Sequence, residues 1–253
     1  MSLEVVMDPE QRQEYLDYQL MLDGLSHIEE DTEAAYCAIA LTSVPEVLKR
    51  PVQERQDAVI RVLNSVGLIG YDPASAPYSP DAGLTKGPEH IYVVDSSKIV
   101  GARYFVWHNI LPTTGVGIEW EKAKTFNRVP VLLFDNNIRT SRMHPHRAIK
   151  LQYGNFQEEA SQFGPVFEML KGYEPGMGFN DGKPVLVGFR GNDVVDLEAA
   201  VYKEFPELEY KWNGEAERVQ LSADNPELFY ELGGTRGKDP SCEGRTRTAY
   251  EES

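Results

Sequence analysis

Two carboxylates and a pair of glycines are the residues whose types and spacing best fit chemistry on a small molecule. Glu119 directly follows the segment Gly115-Val116-Gly117-Ile118, and Asp95 lies upstream, before the next apolar run. Carboxyl groups can act in catalysis as nucleophiles and as general acids or bases. The sequence therefore makes Glu119 and Asp95 candidate catalytic residues.

Each of these carboxylates also has a simpler interpretation. An acidic residue near a helix start often does no more than complement the helix dipole, which would account for Glu119. Aspartate is a preferred N-cap residue, so Asp95 could simply begin a short helix. Neither interpretation excludes catalysis, and the sequence leaves both open.

The stretch from Tyr104 to Asp135 predicts the elements that must position Glu119. Two apolar runs flank a glycine-containing turn and an amphipathic segment, which predicts a strand–turn–helix–strand unit of a parallel sheet. We expect Gly115 and Gly117 to allow a sharp turn and a close approach of the backbone to a ligand. Glu119 would then lie in the first helical turn, where free N–H groups favour its ionised form. Ligands of such sheets bind outside the carboxyl ends of the strands.

The segment Gly115–Glu119, with Ala123 and the apolar run 129–134, resembles the signature of the nucleoside 2-deoxyribosyltransferases. Asp95 at the end of Tyr92-Val93-Val94-Asp95 fits the same pattern, and the resemblance covers roughly residues 35–135. It implies that Glu119 attacks the anomeric carbon of a nucleoside and forms a covalent glycosyl-enzyme. It also implies that Asp95 is the acid/base partner and that the protein is a homo-oligomer.

Two departures from the family pattern leave the reaction open. Thr113 and Thr114 stand where the family often has an acidic residue that helps to hold the sugar, and we expect these threonines to contact the substrate. Glu121-Lys122 replaces a usual Gly-Tyr pair. The acceptor of the sugar could be a second base, as in a transferase, or water, as in a nucleoside 5′-monophosphate hydrolase. A non-catalytic module that binds a nucleotide or ADP-ribose is the third alternative.

Five further residues are candidate substrate contacts. Tyr71 could stack on a base or cover a sugar, although it could equally anchor its loop. His108 and Asn109 lie near the carboxyl end of a predicted strand, where His108 could also serve only as a hydrogen-bonding residue. Arg139 and Arg142 belong to a cationic segment that could hold a 5′-phosphate, or could be a solvated loop.

The pattern of apolar runs predicts an α/β fold with a mostly parallel, flavodoxin-like or Rossmann-like sheet flanked by helices. We place an N-terminal helical segment at residues 1–34, the transferase-like α/β domain at 35–190, and a small C-terminal α+β appendage and tail at 191–253.

Composition limits the possible partners. The net charge of −15 argues against a protein that wraps a nucleic acid polymer, so the expected partner is a free nucleoside or nucleotide. No run approaches the roughly 18 apolar residues of a membrane helix, and there is no pattern of a signal peptide, so we expect a cytoplasmic protein without membrane contact. No cofactor is implied. The His-Pro-His segment lacks a third ligand of known position, so no metal site is predicted.

Overall fold

The computed structural model describes residues 3–22, 24–25, 27–40, 44, 46–75, 88–109, 114–136 and 147–211. Short 3-10 turns lie at Ala160–Gln162 and Pro206–Leu208. The strands and helices follow along the chain as β1 (Leu3–Met7), α1 (Pro9–Leu22), β2 (Asp31–Ala38), α2 (Glu46–Ser65), β3 (Ile69–Tyr71), α3 (Pro88–Gly101), β4 (Ala102–His108), α4 (Thr114–Thr125), β5 (Val129–Asp135), β6 (Ile149–Tyr153), α5 (Phe156–Glu159), α6 (Phe163–Lys171), β7 (Glu174–Asn180), β8 (Lys183–Arg190), β9 (Asp193–Asp196) and α7 (Leu197–Glu204).

A five-stranded parallel sheet lies at the centre of the fold, in the order β3-β2-β4-β5-β6. Its middle strands β4 and β5 are almost continuously buried, as expected for strands covered on both faces. The direction of strand order reverses between β2 and β4, so the crevice where such sheets bind ligands is expected above the carboxyl ends of these two strands. The predicted mixed α/β fold with a parallel sheet is confirmed.

Helices cover both faces of this sheet, and alternate residues of each strand pack against one face or the other. Tyr104 and Val106 of β4 belong to the larger core, together with buried side chains of α2, α5 and α6. Phe105 belongs to the second core, together with Val116 and Trp120 of α4 and Ile99 of α3. The period of two along β4 therefore decides which side chains meet α3 and α4.

A second, antiparallel sheet in the order β1-β7-β8-β9 corrects the predicted extent of the parallel sheet. The apolar run Lys183–Arg190 was expected to extend that sheet, but it pairs with β7 and β9 instead. The N-terminal segment is not purely helical either, because β1 pairs with β7. The parallel sheet thus ends at Tyr153.

Two glycines of β7 allow β1 to lie close to it. A Cβ on Gly176 would stand 2.5 Å from the carbonyl oxygen of Met7, and one on Gly178 would stand 2.4 Å from that of Glu4. These separations are far below a van der Waals contact. The pairing of β1 with β7 therefore depends on the missing side chains.

Among the helices of the described residues, none is long and apolar enough to cross a membrane.

Candidate functional site

The structure brings Asp95 and Glu119 together on two neighbouring helices. Asp95 lies within α3 and Glu119 within α4, and these helices pack side by side against the parallel sheet. Burial, together with the nearby charge of Asp95, raises the pKa of Glu119 to about 7. Burial also raises the pKa of Asp95 to about 6. Both groups therefore change protonation near neutral pH, which is typical of carboxyl groups in catalytic sites.

These positions correct two expectations about the helices. Asp95 lies inside α3 and does not cap a short helix. The helix α4 begins at Thr114, so Glu119 lies beyond its first turn and away from the unpaired N–H groups of the helix start. Because burial dominates there, the folded chain favours the protonated form of Glu119, not the ionised form that the sequence predicted.

Two stacked tyrosines from the parallel sheet stand against these carboxyl groups. The rings of Tyr36 in β2 and Tyr71 in β3 lie 5.5 Å apart at 27°. The Tyr36 hydroxyl donates toward Glu119 and lowers its pKa, although less than burial raises it. Tyr71 acts in the same direction on Asp95. Each carboxyl group is therefore matched with one tyrosine hydroxyl.

The match between Tyr36 and Glu119 leaves polar atoms incompletely satisfied. Oε2 of Glu119 and the hydroxyl of Tyr36 are buried, and neither has a partner with good hydrogen-bond geometry within the described ranges. Buried polar atoms without a partner are uncommon and require an explanation. A ligand hydroxyl placed between them would satisfy both.

A row of aromatic rings continues from the tyrosines along the same face of the sheet. Tyr36 stacks on Phe105 at 5.9 Å, and Phe105 meets Trp120 edge-on at 6.0 Å. Trp107 lies 6.4 Å from Trp120 and is partly exposed at the carboxyl end of β4. The row gives the carboxyl groups an apolar wall, which explains their raised pKa values.

The glycines Gly115 and Gly117 lie inside the first turns of α4, which corrects the predicted glycine turn. Neither has a positive φ, and a Cβ at either position would meet nothing within 4 Å. The turn therefore does not require glycine, and both residues border open space next to Glu119. Thr114 is exposed at the helix start, whereas Thr113 lies outside the described residues.

His108 lies at the predicted edge of the sheet but faces away from Glu119. Its ring lies 4.4 Å from that of Phe156 and its Nε2 lies 2.5 Å from the hydroxyl of Tyr153, both on the α2 and α5 side. Arg55 donates to the same hydroxyl at 3.5 Å. Burial holds the pKa of His108 well below its usual range, so the ring is neutral.

Of the remaining predicted contacts, the structure describes Asn109 alone. The backbone N–H of Asn109 donates to the carbonyl oxygen of Leu133 at 3.0 Å, next to His108 in the chain. Arg139 and Arg142 lie outside the described residues. The part of the chain that the structure describes contains no group of three or more side chains able to hold a metal ion.

Tyr36 was not among the predicted site residues, because a single tyrosine within the apolar run Ala35–Ala40 is expected to be a core residue. Its position on β2, beside the edge strand β3 and on the face of α3 and α4, is what brings it to Glu119.

No protein-family model matches the sequence, and no curated protein matches it. The site itself consists of two carboxyl groups that influence each other's charge, two tyrosine hydroxyls and a row of aromatic rings, all on one face of a parallel sheet.

Proposed function

We propose that the protein is a nucleoside 2-deoxyribosyltransferase-like enzyme that cleaves the N-glycosidic bond of a nucleoside or nucleotide. The observation that carries the proposal is the electrostatic coupling of Asp95 with Glu119 next to buried tyrosine hydroxyls. The strand order of the parallel sheet supports a flavodoxin-like domain, in which this crevice is the usual ligand site. The segment from Gly115 to Glu119 supplies the resemblance to the family.

The pair is proposed to react with one proton, which the higher pKa of Glu119 keeps on Glu119 in the free protein and which passes to Asp95 when the substrate binds. Ionised Glu119 then attacks C1′ and forms an ester bond to the sugar as the bond from C1′ to the base nitrogen breaks. The electron pair of that bond stays on the base, which takes a proton from Asp95. The Tyr36 hydroxyl faces the attacking carboxylate, and its donation toward Glu119 favours the ionised form. A second base or a water molecule then attacks C1′, gives its proton to Asp95 and releases Glu119.

The hydrolase remains a second candidate for a specific reason. Thr113 and Thr114 replace the acidic residue that often holds the sugar in the transferases, which weakens the argument for a second base as acceptor. Arg139 and Arg142 would suit a 5′-monophosphate. The resemblance further leads us to propose a homo-oligomer in the cytoplasm, and light scattering after gel filtration tests the oligomer.

The test compares the wild type with Glu119→Gln and with Glu121→Gln, a matched control on the same helix. Glu121 is exposed and forms a surface ion pair with Lys124. Each protein is incubated with a deoxynucleoside plus a free base, and separately with a 5′-monophosphate alone, and the products are separated by chromatography. We expect Glu119→Gln to lose at least about a hundredfold in turnover, and Glu121→Gln to keep the wild-type rate.

The products separate the alternatives. A new nucleoside indicates a transferase, and a free base with a sugar phosphate indicates a hydrolase. Turnover by Glu119→Gln at the wild-type rate would refute the assignment of the nucleophile. A nucleotide that raises the melting temperature without being consumed would instead indicate a binding module.

A further inference from the structure

A cavity of about 560 Å³ lies between α1 and the amino-terminal ends of β2, β4 and β5. It is at the opposite edge of the parallel sheet from Asp95 and Glu119, and it plays no part in the proposed reaction. Its volume falls within the range of pockets that hold small molecules.

Three arginines and one glutamate line the inner end of this cavity. Glu30 accepts from Arg12 at 2.8 Å, from Arg103 at 2.7 Å and from Arg128 at 2.6 Å. Burial alone would raise the pKa of Glu30, but the charges of the three arginines overcome this and lower it to about 2. All three guanidinium groups are almost completely shielded from solvent, with side-chain exposures of 6%, 10% and 2% for Arg12, Arg103 and Arg128.

The buried charges of this cluster do not balance. Among the described residues, three guanidinium groups face a single buried carboxylate. Arg12 and Arg128 also donate to backbone carbonyl oxygens, and Glu174 contacts Arg103 at 3.2 Å. The Glu174 side chain is 57% exposed, so water screens its charge. Asp17 and Glu29 also line the cavity, and both are exposed. The pKa of Arg128 is lowered to about 10, chiefly by burial. The charges of Arg12 and Arg103 also lower it, whereas the charge of Glu30 raises it.

An excess of buried positive charge calls for an anion, because a buried charge without a counter-ion is costly. The planar guanidinium fork matches the paired oxygens of a phosphate or carboxylate group. Gln13 and Thr32 line the same cavity and add neutral polar groups. A small oxyanion is therefore the ligand that fits both the volume and the charge.

We propose that this cavity is a second binding site, which takes a small oxyanion on Arg103 in the place that Glu174 now occupies. The exposed carboxylate of Glu174 acts as a stand-in for the ligand and is displaced when the ligand binds.

The test measures the melting temperature of the full chain against inorganic phosphate, and separately against citrate, with sodium chloride keeping the ionic strength constant. We expect a saturable rise in the wild type with at least one of the two anions, and the one that acts distinguishes a phosphate from a carboxylate ligand. Glu174→Gln should bind several-fold more tightly because the competing carboxylate is gone. Arg103→Gln should lose about tenfold in affinity.

Two further variants control the result. Arg50→Gln changes an exposed arginine that pairs with Glu54 on α2, and it should respond like the wild type. Glu119→Gln should also respond like the wild type, which keeps this test separate from the test of the proposed reaction. The proposal is overturned if neither the wild type nor Glu174→Gln shows a saturable rise, if Arg103→Gln keeps the wild-type affinity, or if Glu119→Gln abolishes the response.

Discussion

Glu119 is held in a place where its ionisation costs stability. Burial raises its pKa from 4.5 to about 7, so the folded chain keeps a proton that the unfolded chain releases at lower pH. Stability therefore falls as the pH rises from about 4.5 to about 7, and the loss stays constant above that range. This cost is typical of residues kept for chemistry at the expense of stability.

We predict that Glu119→Gln stabilises the folded chain by roughly 1–3 kcal/mol at pH 8, because glutamine fits the site without ionising. The gain should shrink toward zero near pH 4, where both states of the wild type are protonated. Urea denaturation at the two pH values measures the effect. Glu121→Gln should show no such dependence on pH, and an equal gain for Glu119→Gln at both pH values would contradict the assigned burial cost.

The two carboxyl groups of the candidate site could be predicted from the sequence, but their positions on the helices and the tyrosine beside them could not. Carboxylates near a glycine-containing segment singled out Glu119 and Asp95, but their helical positions depend on where α3 and α4 begin. Tyr36 could not be separated from the core residues around it. His108 was expected on the ligand side, but the alternation along β4 turns its side chain to the other face.

The start of α4 contains two glycines that lower the stability of the helix. Gly115 and Gly117 lie in a helix where neither a positive φ nor a close neighbour requires glycine. Glycine destabilises a helix interior by roughly 0.5–1 kcal/mol relative to alanine. The open space above these residues, beside Glu119, is a physical reason for accepting that cost.

We predict that Gly117→Ala raises the free energy of unfolding by about 0.5–1 kcal/mol and lowers turnover, because the new methyl group enters the space kept for the substrate. Denaturation and the chromatographic assay measure the two effects on the same protein. Unchanged turnover together with increased stability would show that the substrate does not approach this part of α4.

The second sheet is formed by strands that lie far apart in the chain, and such pairings leave no local pattern in the sequence. The strands β2, β4 and β5 of the parallel sheet could be predicted because each is an apolar run, whereas β6, which carries Lys150 and Gln152, was not predicted. The antiparallel sheet could not be predicted, because β1 is short and pairs with β7, which lies far away in the chain. The apolar run of β8 gave no indication of which sheet it joins.

We predict that Gly178→Ala destabilises the protein by about 2–4 kcal/mol, since its Cβ would lie 2.4 Å from the carbonyl oxygen of Glu4 and would push β1 off the sheet. Urea denaturation measures the loss. The same substitution in a chain that lacks residues 1–7 should cost less, because only the contact with the Val187 side chain remains. Equal losses in the two backgrounds would show that β1 does not contribute to the effect.

The two faces of the central sheet present different side chains to a ligand at the carboxyl ends of its strands. Asp95 and Glu119 lie with Tyr36 on the face of α3 and α4, whereas the neutral imidazole of His108 lies with Tyr153 on the face of α2 and α5. Packed layers in proteins stand roughly 10 Å apart. A small molecule at the carboxyl ends of β2 and β4 therefore contacts the side chains of one face, and a compound that contacts both faces needs a linker across the ends of these strands.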